Sequence, residues 1–158
     1  MRKFMLLLSL VALVAPIAAF ADTPPTPAQT ANQICAGSKT QMGADAFKQA
    51  YGTNANKSNA WGKCVAKNAK TAQQDVADAK ASCKAQQTEG SPANAFGKCV
   101  SAAVQSAVAA QAKASAAALK SCKGALKADK TAFAALYGTG HDALGKCVAA
   151  KTGAASTK

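Results

Sequence analysis

Residues 59–87, NAWGKCVAKNAKTAQQDVADAKASCKAQQ, have the pattern of one long amphipathic helix. Their apolar positions recur at spacings of three and four, which places them on one face of a helix. These positions are Trp61, Val65, Ala69, Ala72, Val76, Ala79 and Cys83. Ser58 is a favourable N-cap just before the stretch, and Glu89-Gly90 should end it.

A second long helix is expected after the turn at Gly90. Ser91 and Pro92 suit its N-cap and first helical position. Its expected buried face consists of Phe96, Val100, Val104, Val108, Gln111, Ser115, Ala118, Leu119 and Cys122. The apolar part of this helix is interrupted by glutamine and lysine, which argues against a membrane span. Two long helices joined by a tight turn predict an all-α fold built on an antiparallel helical hairpin, with short flanking helices.

The motif Gly-Lys-Cys-Val occurs three times, at residues 62–65, 97–100 and 145–148. Each copy follows a large apolar residue, and each has another cysteine upstream. Residues 46–53 and 132–139 also resemble each other, whereas the middle copy lacks that segment. A four-residue identity seen three times indicates duplication, so we interpret the chain as three degenerate repeats.

These segments resemble a set of uncharacterised secreted bacterial proteins that carry repeated "AF…YGT…NAFGKCV" cysteine motifs. The resemblance covers most of the chain after the first 21 residues, with shortened second and third copies. It implies export and a helical architecture stapled by disulfides. It implies nothing about chemistry.

The amino terminus has the features of a signal peptide, assigned to residues 1–21. Met1-Arg2-Lys3 is basic, an apolar stretch follows, and Ala19 and Ala21 provide the small residues that a signal peptidase recognises. Cleavage before Asp22 is expected, with an uncleaved membrane anchor as the alternative. The exported protein is then expected to be secreted, or to remain in the periplasm or cell envelope.

The rest of the chain is expected to form one domain. Residues 22–27 are a Pro-rich leader, and residues 28–158 form a single helical, disulfide-stapled domain. Beside the two long helices, short helices are expected at about 28–36, 44–51, 129–137 and 141–151. Gly37 should end the first of these, and Gly52 should end the second in a left-handed conformation.

All six cysteines lie after the signal peptide, and an even number in an exported chain indicates disulfides. They are Cys35, Cys64, Cys83, Cys99, Cys122 and Cys147. Two cysteines on one long helix would be roughly 28–34 Å apart at 1.5 Å per residue, which excludes a bond between them. Cys83 and Cys99 flank the turn and should pair.

The other four cysteines belong to the opposite end of the hairpin. The repeat favours Cys35–Cys64 and Cys122–Cys147, one bridge per copy. The alternative is Cys64–Cys122 with Cys35–Cys147. The glycine before each motif lysine (Gly62, Gly97, Gly145) is interpreted as a point of close backbone approach beside the bridge.

No catalytic residue, metal ligand set or cofactor site is expected, and the protein is not expected to be an enzyme. His141 is the only histidine, so a hydrolytic triad has no further candidate for its base. Asp75 and Asp78 more plausibly solvate a helix face than perform acid–base catalysis. No Cys-x-x-Cys occurs, which argues against zinc and against redox chemistry.

Charge is the remaining functional signal. The formal net charge is +12, and removal of Arg2 and Lys3 leaves +10, carried entirely by lysine. The hairpin should gather many lysines at one end as a possible polyanion-binding patch: Lys57, Lys63, Lys67, Lys70, Lys113, Lys120, Lys123, Lys127, Lys130 and Lys146. A solvated face that keeps an alanine-rich protein soluble is the alternative.

We therefore expect a non-catalytic exported structural or interaction protein whose partner is unknown. The first alternative is a sequence-independent binder of anionic polymers or membrane surfaces, such as a cell-envelope polymer or lipid headgroups. Sequence-specific nucleic-acid recognition is not expected, because arginine and aromatic platforms are lacking. The second alternative is an inhibitor of an extracellular enzyme, acting through the loop at 53–57.

Overall fold

A computed structural model describes residues 23–153, which fold into six helices without a strand in that range. The helices are α1 Pro27–Met42, α2 Ala44–Tyr51, α3 Ala60–Ala85, α4 Ala95–Ala128, α5 Lys130–Tyr137 and α6 Ala143–Gly153. The all-α prediction is therefore confirmed. The signal peptide assigned to residues 1–21, together with residues 22 and 154–158, lies outside the described part.

Helix α1 is longer than the sequence predicts. It begins at Pro27, where Thr26 forms a capping box with Gln29. It also passes through Gly37, which was expected to end it, and continues to Gly43. Gly37 lies against α4, where an added Cβ would be 3.1 Å from the Cβ of Ala112. Close packing between the two helices offsets the low helix propensity of glycine at this position.

Helix α1 packs against both long helices, α3 and α4. Ala31 and Ile34 of α1 form a buried cluster with Ala72 of α3, and Val108 of α4 packs against it. Ile34 is fully buried. The core between the long helices is thus completed by a third helix, which the sequence placed only at their far end.

Helices α3 and α4 run in opposite directions, as their shared clusters show. At one end, Val76 and Cys83 of α3 pack with Val100 and Val104 of α4. At the other end, the first turns of α3 and the last turns of α4 belong to one larger cluster. Helix α4 begins only at Ala95, so Ser91-Pro92 lies in the connecting turn and does not cap the helix.

The buried face of α3 is rotated at its start relative to the predicted one. Ala60 and Cys64 are buried, whereas Trp61 is 40% exposed. The bond from Cys64 to α1 turns that side of the helix inward. Trp61 instead lies beside the Phe47 ring, with centroids 6.0 Å apart, and its indole N–H donates to Asn32.

All six cysteines are paired, in the one-bridge-per-copy arrangement. The bonds are Cys35–Cys64, Cys83–Cys99 and Cys122–Cys147, with Cα–Cα distances of 5.9, 5.8 and 6.0 Å. The alternative pairing of the outer four cysteines is absent. Three disulfides fit an oxidising extracellular compartment. Within residues 23–153, no helix is long and apolar enough to cross a membrane.

Two further expectations about glycines were wrong. Gly52 has a φ of −72°, so it is not left-handed; an added Cβ there would lie 2.7 Å from the Lys48 carbonyl oxygen. Gly62 has no neighbouring atom within 4 Å of an added Cβ, so no close approach explains it. Gly145 does meet the expectation, because its Cβ would lie 2.6 Å from the carbonyl oxygen of Ala50. The glycine of the second motif, Gly97, is buried.

A candidate anion-binding pocket

The ten lysines of the predicted patch occupy several surfaces in the structure. Lys63, Lys67 and Lys146 line one pocket, and Lys57 is fixed beside it. Lys120 and Lys123 line a separate groove. Lys130 lines a third depression. The remaining three, Lys70, Lys113 and Lys127, are exposed on helix surfaces.

The pocket lies where the end of α2 meets the first turns of α3 and the start of α6. It has a volume of about 240 Å³. Lys63 and Lys67 are four residues apart on α3, so both side chains reach the same side of that helix. Lys146 enters from α6, next to Gly145. The lack of a side chain on Gly145 allows α6 to approach the Ala50 carbonyl, and this approach brings Lys146 to the pocket.

Tyr51 forms an aromatic wall of the pocket. Its ring is buried against Phe47, with centroids 4.9 Å apart, and its hydroxyl donates to the Ser115 hydroxyl at 3.3 Å. The Lys67 ammonium lies 5.9 Å from the centre of the same ring, within the range of a cation–π interaction. A fixed aromatic surface therefore supports one of the three lysines.

The ammonium group of Lys67 is partly desolvated. Its side chain as a whole remains accessible, but burial of its ammonium group lowers the pKa of Lys67 below the ordinary value. Within residues 23–153, the one ion pair is Lys146–Asp142, so no carboxylate neutralises Lys67. A partly desolvated cation without a counter-charge beside it is unfavourable.

Asp142 is the acidic residue that lines the pocket. Its carboxylate accepts a hydrogen bond from Lys146 at 3.0 Å, four residues later on the chain. This hydrogen bond is the main cause that lowers the pKa of Asp142, and the charges of Lys146 and Lys57 act in the same direction. With three lysines and one aspartate in its lining, the pocket has a formal excess of two positive charges.

Lys57 reaches the edge of the pocket from the loop between α2 and α3. It has a left-handed backbone conformation, with a φ of 59°. Its ammonium donates to the carbonyl of Gly52 at 2.9 Å and to the carbonyl of His141. Lys57 thus ties the end of α2 to the turn before α6 and satisfies a terminal carbonyl of α2.

The described residues 23–153 hold no cluster of three or more histidine, cysteine or acidic side chains arranged for a metal ion. His141 is exposed, and its backbone carbonyl, rather than its ring, contacts Lys57. Asp75 lies in the middle of α3, well away from the pocket along the chain. Burial, and then the charge of Asp78, raise the pKa of Asp75. The pocket itself offers ammonium groups and a phenol ring, which suit binding of an anion.

Sequence reasoning named the pocket lysines but missed what surrounds them. Tyr51 belongs to the segment that the first and third copies share, and that repetition was a signal that could have identified it. Asp142 directly follows His141, and the sequence predicted no role for it. Its pairing with Lys146 at a spacing of four residues could have been read from the sequence.

No protein-family model matches this chain, and neither the search of curated proteins nor that of solved structures found a significant match.

Proposed function

We propose that this is a non-catalytic, exported interaction protein that binds anionic polymers or anionic lipid surfaces through its lysines. One observation carries the proposal: basic residues far outnumber acidic ones, so the chain has a large excess of positive charge. The sequence has 19 basic and seven acidic residues, and residues 23–153 contain one ion pair. Such an excess attracts polyanions over a distance and raises their rate of association.

The scaffold supports this role because it holds the lysines on a rigid frame. Each disulfide in a small domain contributes about 2–4 kcal/mol to stability. The bridges fasten α1 to α3, α3 to α4 and α4 to α6. They also support export to the periplasm, cell envelope or medium, as does the resemblance to secreted bacterial proteins.

The expected binding is independent of sequence. Arg2 is the only arginine, so the bidentate contacts that read guanine are absent from the exported chain. Among the described residues, Trp61 is the most exposed aromatic side chain, and it is engaged with Asn32. A series of stacking platforms for nucleic-acid bases is therefore not formed in this part of the chain.

The proposal is tested with the oxidised protein spanning residues 22–158. Binding to immobilised heparin and to vesicles with anionic headgroups is measured over a range of salt concentrations, with uncharged dextran and zwitterionic vesicles as controls. We expect binding to the anionic surfaces that weakens steeply with salt, because counterions are released. Absence of binding to every anionic surface at low ionic strength would refute this proposal.

A further inference from the structure

Two of the three motif lysines meet in the pocket, although they are far apart in sequence. Lys63 comes from the first copy of Gly-Lys-Cys-Val and Lys146 from the third. The cysteine after each of them is fixed by a disulfide, Cys64 to α1 and Cys147 to α4. The backbone carrying each lysine is therefore held in place. The motif lysine of the second copy, Lys98, is exposed and follows no short helix like α2.

The pocket contains an unfavourable feature that packing does not require. A methionine at position 67 would keep a similar apolar stem without a partly desolvated charge. Unfavourable local chemistry in a cleft is typical of binding sites, where a ligand supplies the missing partner. Here the missing partner is negative charge.

We propose that this pocket binds a single phosphomonoester group, held by the ammonium groups of Lys63, Lys67 and Lys146. This inference rests on the proposed function and specifies the anionic group that the protein prefers. A phosphomonoester carries a charge of about −1.5 to −2 at neutral pH, which matches the formal excess of two positive charges. A carboxylate or phosphodiester carries only one charge. Lysine binds phosphate as a point charge, so arginine is not needed.

The size of the pocket agrees with one charged group. Its volume of about 240 Å³ is below the range of roughly 300–1,000 Å³ typical of sites for drug-sized ligands. A terminal phosphate with the first atoms of its chain is of suitable size, and the rest of a polymer or lipid would extend into solvent. The Tyr51 ring then lies beside the Lys67 ammonium.

Asp142 competes with the ligand in this arrangement. Its carboxylate lies 3.0 Å from the Lys146 ammonium and repels an incoming anion. When phosphate binds, Lys146 interacts with both the phosphate and the Asp142 carboxylate. Replacement of Asp142 by asparagine removes one negative charge from the pocket with little change in size, so it should strengthen binding.

The test compares three small probes by NMR titration of the oxidised protein at low, constant ionic strength and neutral pH. Methyl phosphate is the phosphomonoester, dimethyl phosphate is the singly charged diester, and acetate is the carboxylate. We expect methyl phosphate to bind at least about fivefold more tightly than either other probe, with shifts centred on the pocket. Equal binding of the three would overturn the proposal.

Matched variants separate the pocket from general electrostatics. Lys67→Gln and Lys146→Gln should each raise the Kd for methyl phosphate by about tenfold, which corresponds to about 1.4 kcal/mol. Lys98→Gln removes the same charge at the same motif position in the second copy and should change the Kd by less than about twofold. Asp142→Asn should lower the Kd. Equal losses in Lys67→Gln and Lys98→Gln would refute a specific pocket.

The two proposals fail in different ways. If wild-type protein binds heparin or vesicles but shows no preference for methyl phosphate, the pocket proposal fails and the proposed function stands. If it binds no anionic surface at all, the proposed function fails too. Displacement by methyl phosphate from phosphatidic acid vesicles or from a phosphorylated polysaccharide would identify the source of the phosphate. Lack of displacement from both would overturn a role of the pocket in surface binding.

Discussion

Alanine substitution at two equivalent motif glycines should change stability in opposite directions. Gly62 and Gly145 each precede a motif lysine near the start of a helix. At Gly62 an added Cβ meets nothing within 4 Å, so Gly62→Ala gains helix propensity without a clash. The expected gain is about 0.5–1 kcal/mol, which raises Tm by about 2–4 °C in a domain of this size.

The same substitution at Gly145 introduces a clash with the backbone. Its Cβ would lie 2.6 Å from the Ala50 carbonyl oxygen, whereas carbon–oxygen contacts of this kind are found at about 3.3–3.6 Å. Helix α6 must therefore move from α2 by about 0.7–1.0 Å. Overpacking of this degree costs about 1–3 kcal/mol. Subtracting a propensity gain of about 0.75 kcal/mol from an overpacking cost of about 2 kcal/mol leaves a net loss of about 1.3 kcal/mol, so Tm falls by about 5 °C.

Thermal and urea unfolding of oxidised wild type, Gly62→Ala and Gly145→Ala, followed by circular dichroism, measures both shifts. Titration of free thiols before each experiment ensures that the three disulfides are intact. The reasoning is refuted if the two variants shift Tm in the same direction, or if Gly145→Ala is as stable as wild type. Because Lys146 follows Gly145 directly, Gly145→Ala should also weaken binding of methyl phosphate.

Three further predictions concern charge and cross-links. Burial lowers the pKa of Lys67, so the unfolded chain binds the proton more tightly than the folded protein does. The free energy of unfolding should therefore rise with pH as the pH approaches 10.5 from below. In urea unfolding, Lys67→Met should be more stable than wild type at pH 7 and should lack this rise. The pKa of Asp75 is raised, so its contribution to stability falls as the pH rises above 3.8. Asp75→Asn should therefore be more stable than wild type at pH 7 in the same assay, and an unchanged free energy of unfolding would contradict this. Replacing Cys83 and Cys99 together by alanine should cost about 3 kcal/mol in urea unfolding, and an unchanged midpoint would show that this bridge adds no stability.

Much of the local structure could be predicted because it depends on neighbours in the chain. Helix α2 was expected at residues 44–51 and is found there, and Asp129 caps α5 within a residue of the expected start. The ends that were misplaced depend on distant contacts. Gly37 was read as a helix end, but packing against Ala112 keeps it helical. Asn59, not Ser58, precedes α3, and the Asn59 side chain bonds Thr53 in the loop instead of capping the helix.

The candidate site was predictable only as a set of lysines. Spacing along α3 puts Lys63 and Lys67 on one side of that helix, and this can be read from the sequence. The position of Lys146 in the pocket cannot be read from the sequence, because it depends on how closely α6 approaches Ala50. The partial desolvation of Lys67 also depends on where Tyr51 lies, and the Tyr51 hydroxyl is held by Ser115 of α4, which is 64 residues away in sequence.

By itself, the sequence determined the helical class, because alanine-rich periodicity acts locally, and the Cys83–Cys99 pair, because rigid helices limit which cysteines can meet. For the outer four cysteines the repeat favoured the observed pairing but left one alternative open, which the tertiary structure excluded. The tertiary structure decided the position of α1 between α3 and α4, the rotation at the start of α3 and the grouping of three lysines around one pocket. Those features depend on side-chain volumes and backbone approach between segments remote in sequence. Neither the volumes that meet nor the distance of approach can be read from the sequence pattern of one segment.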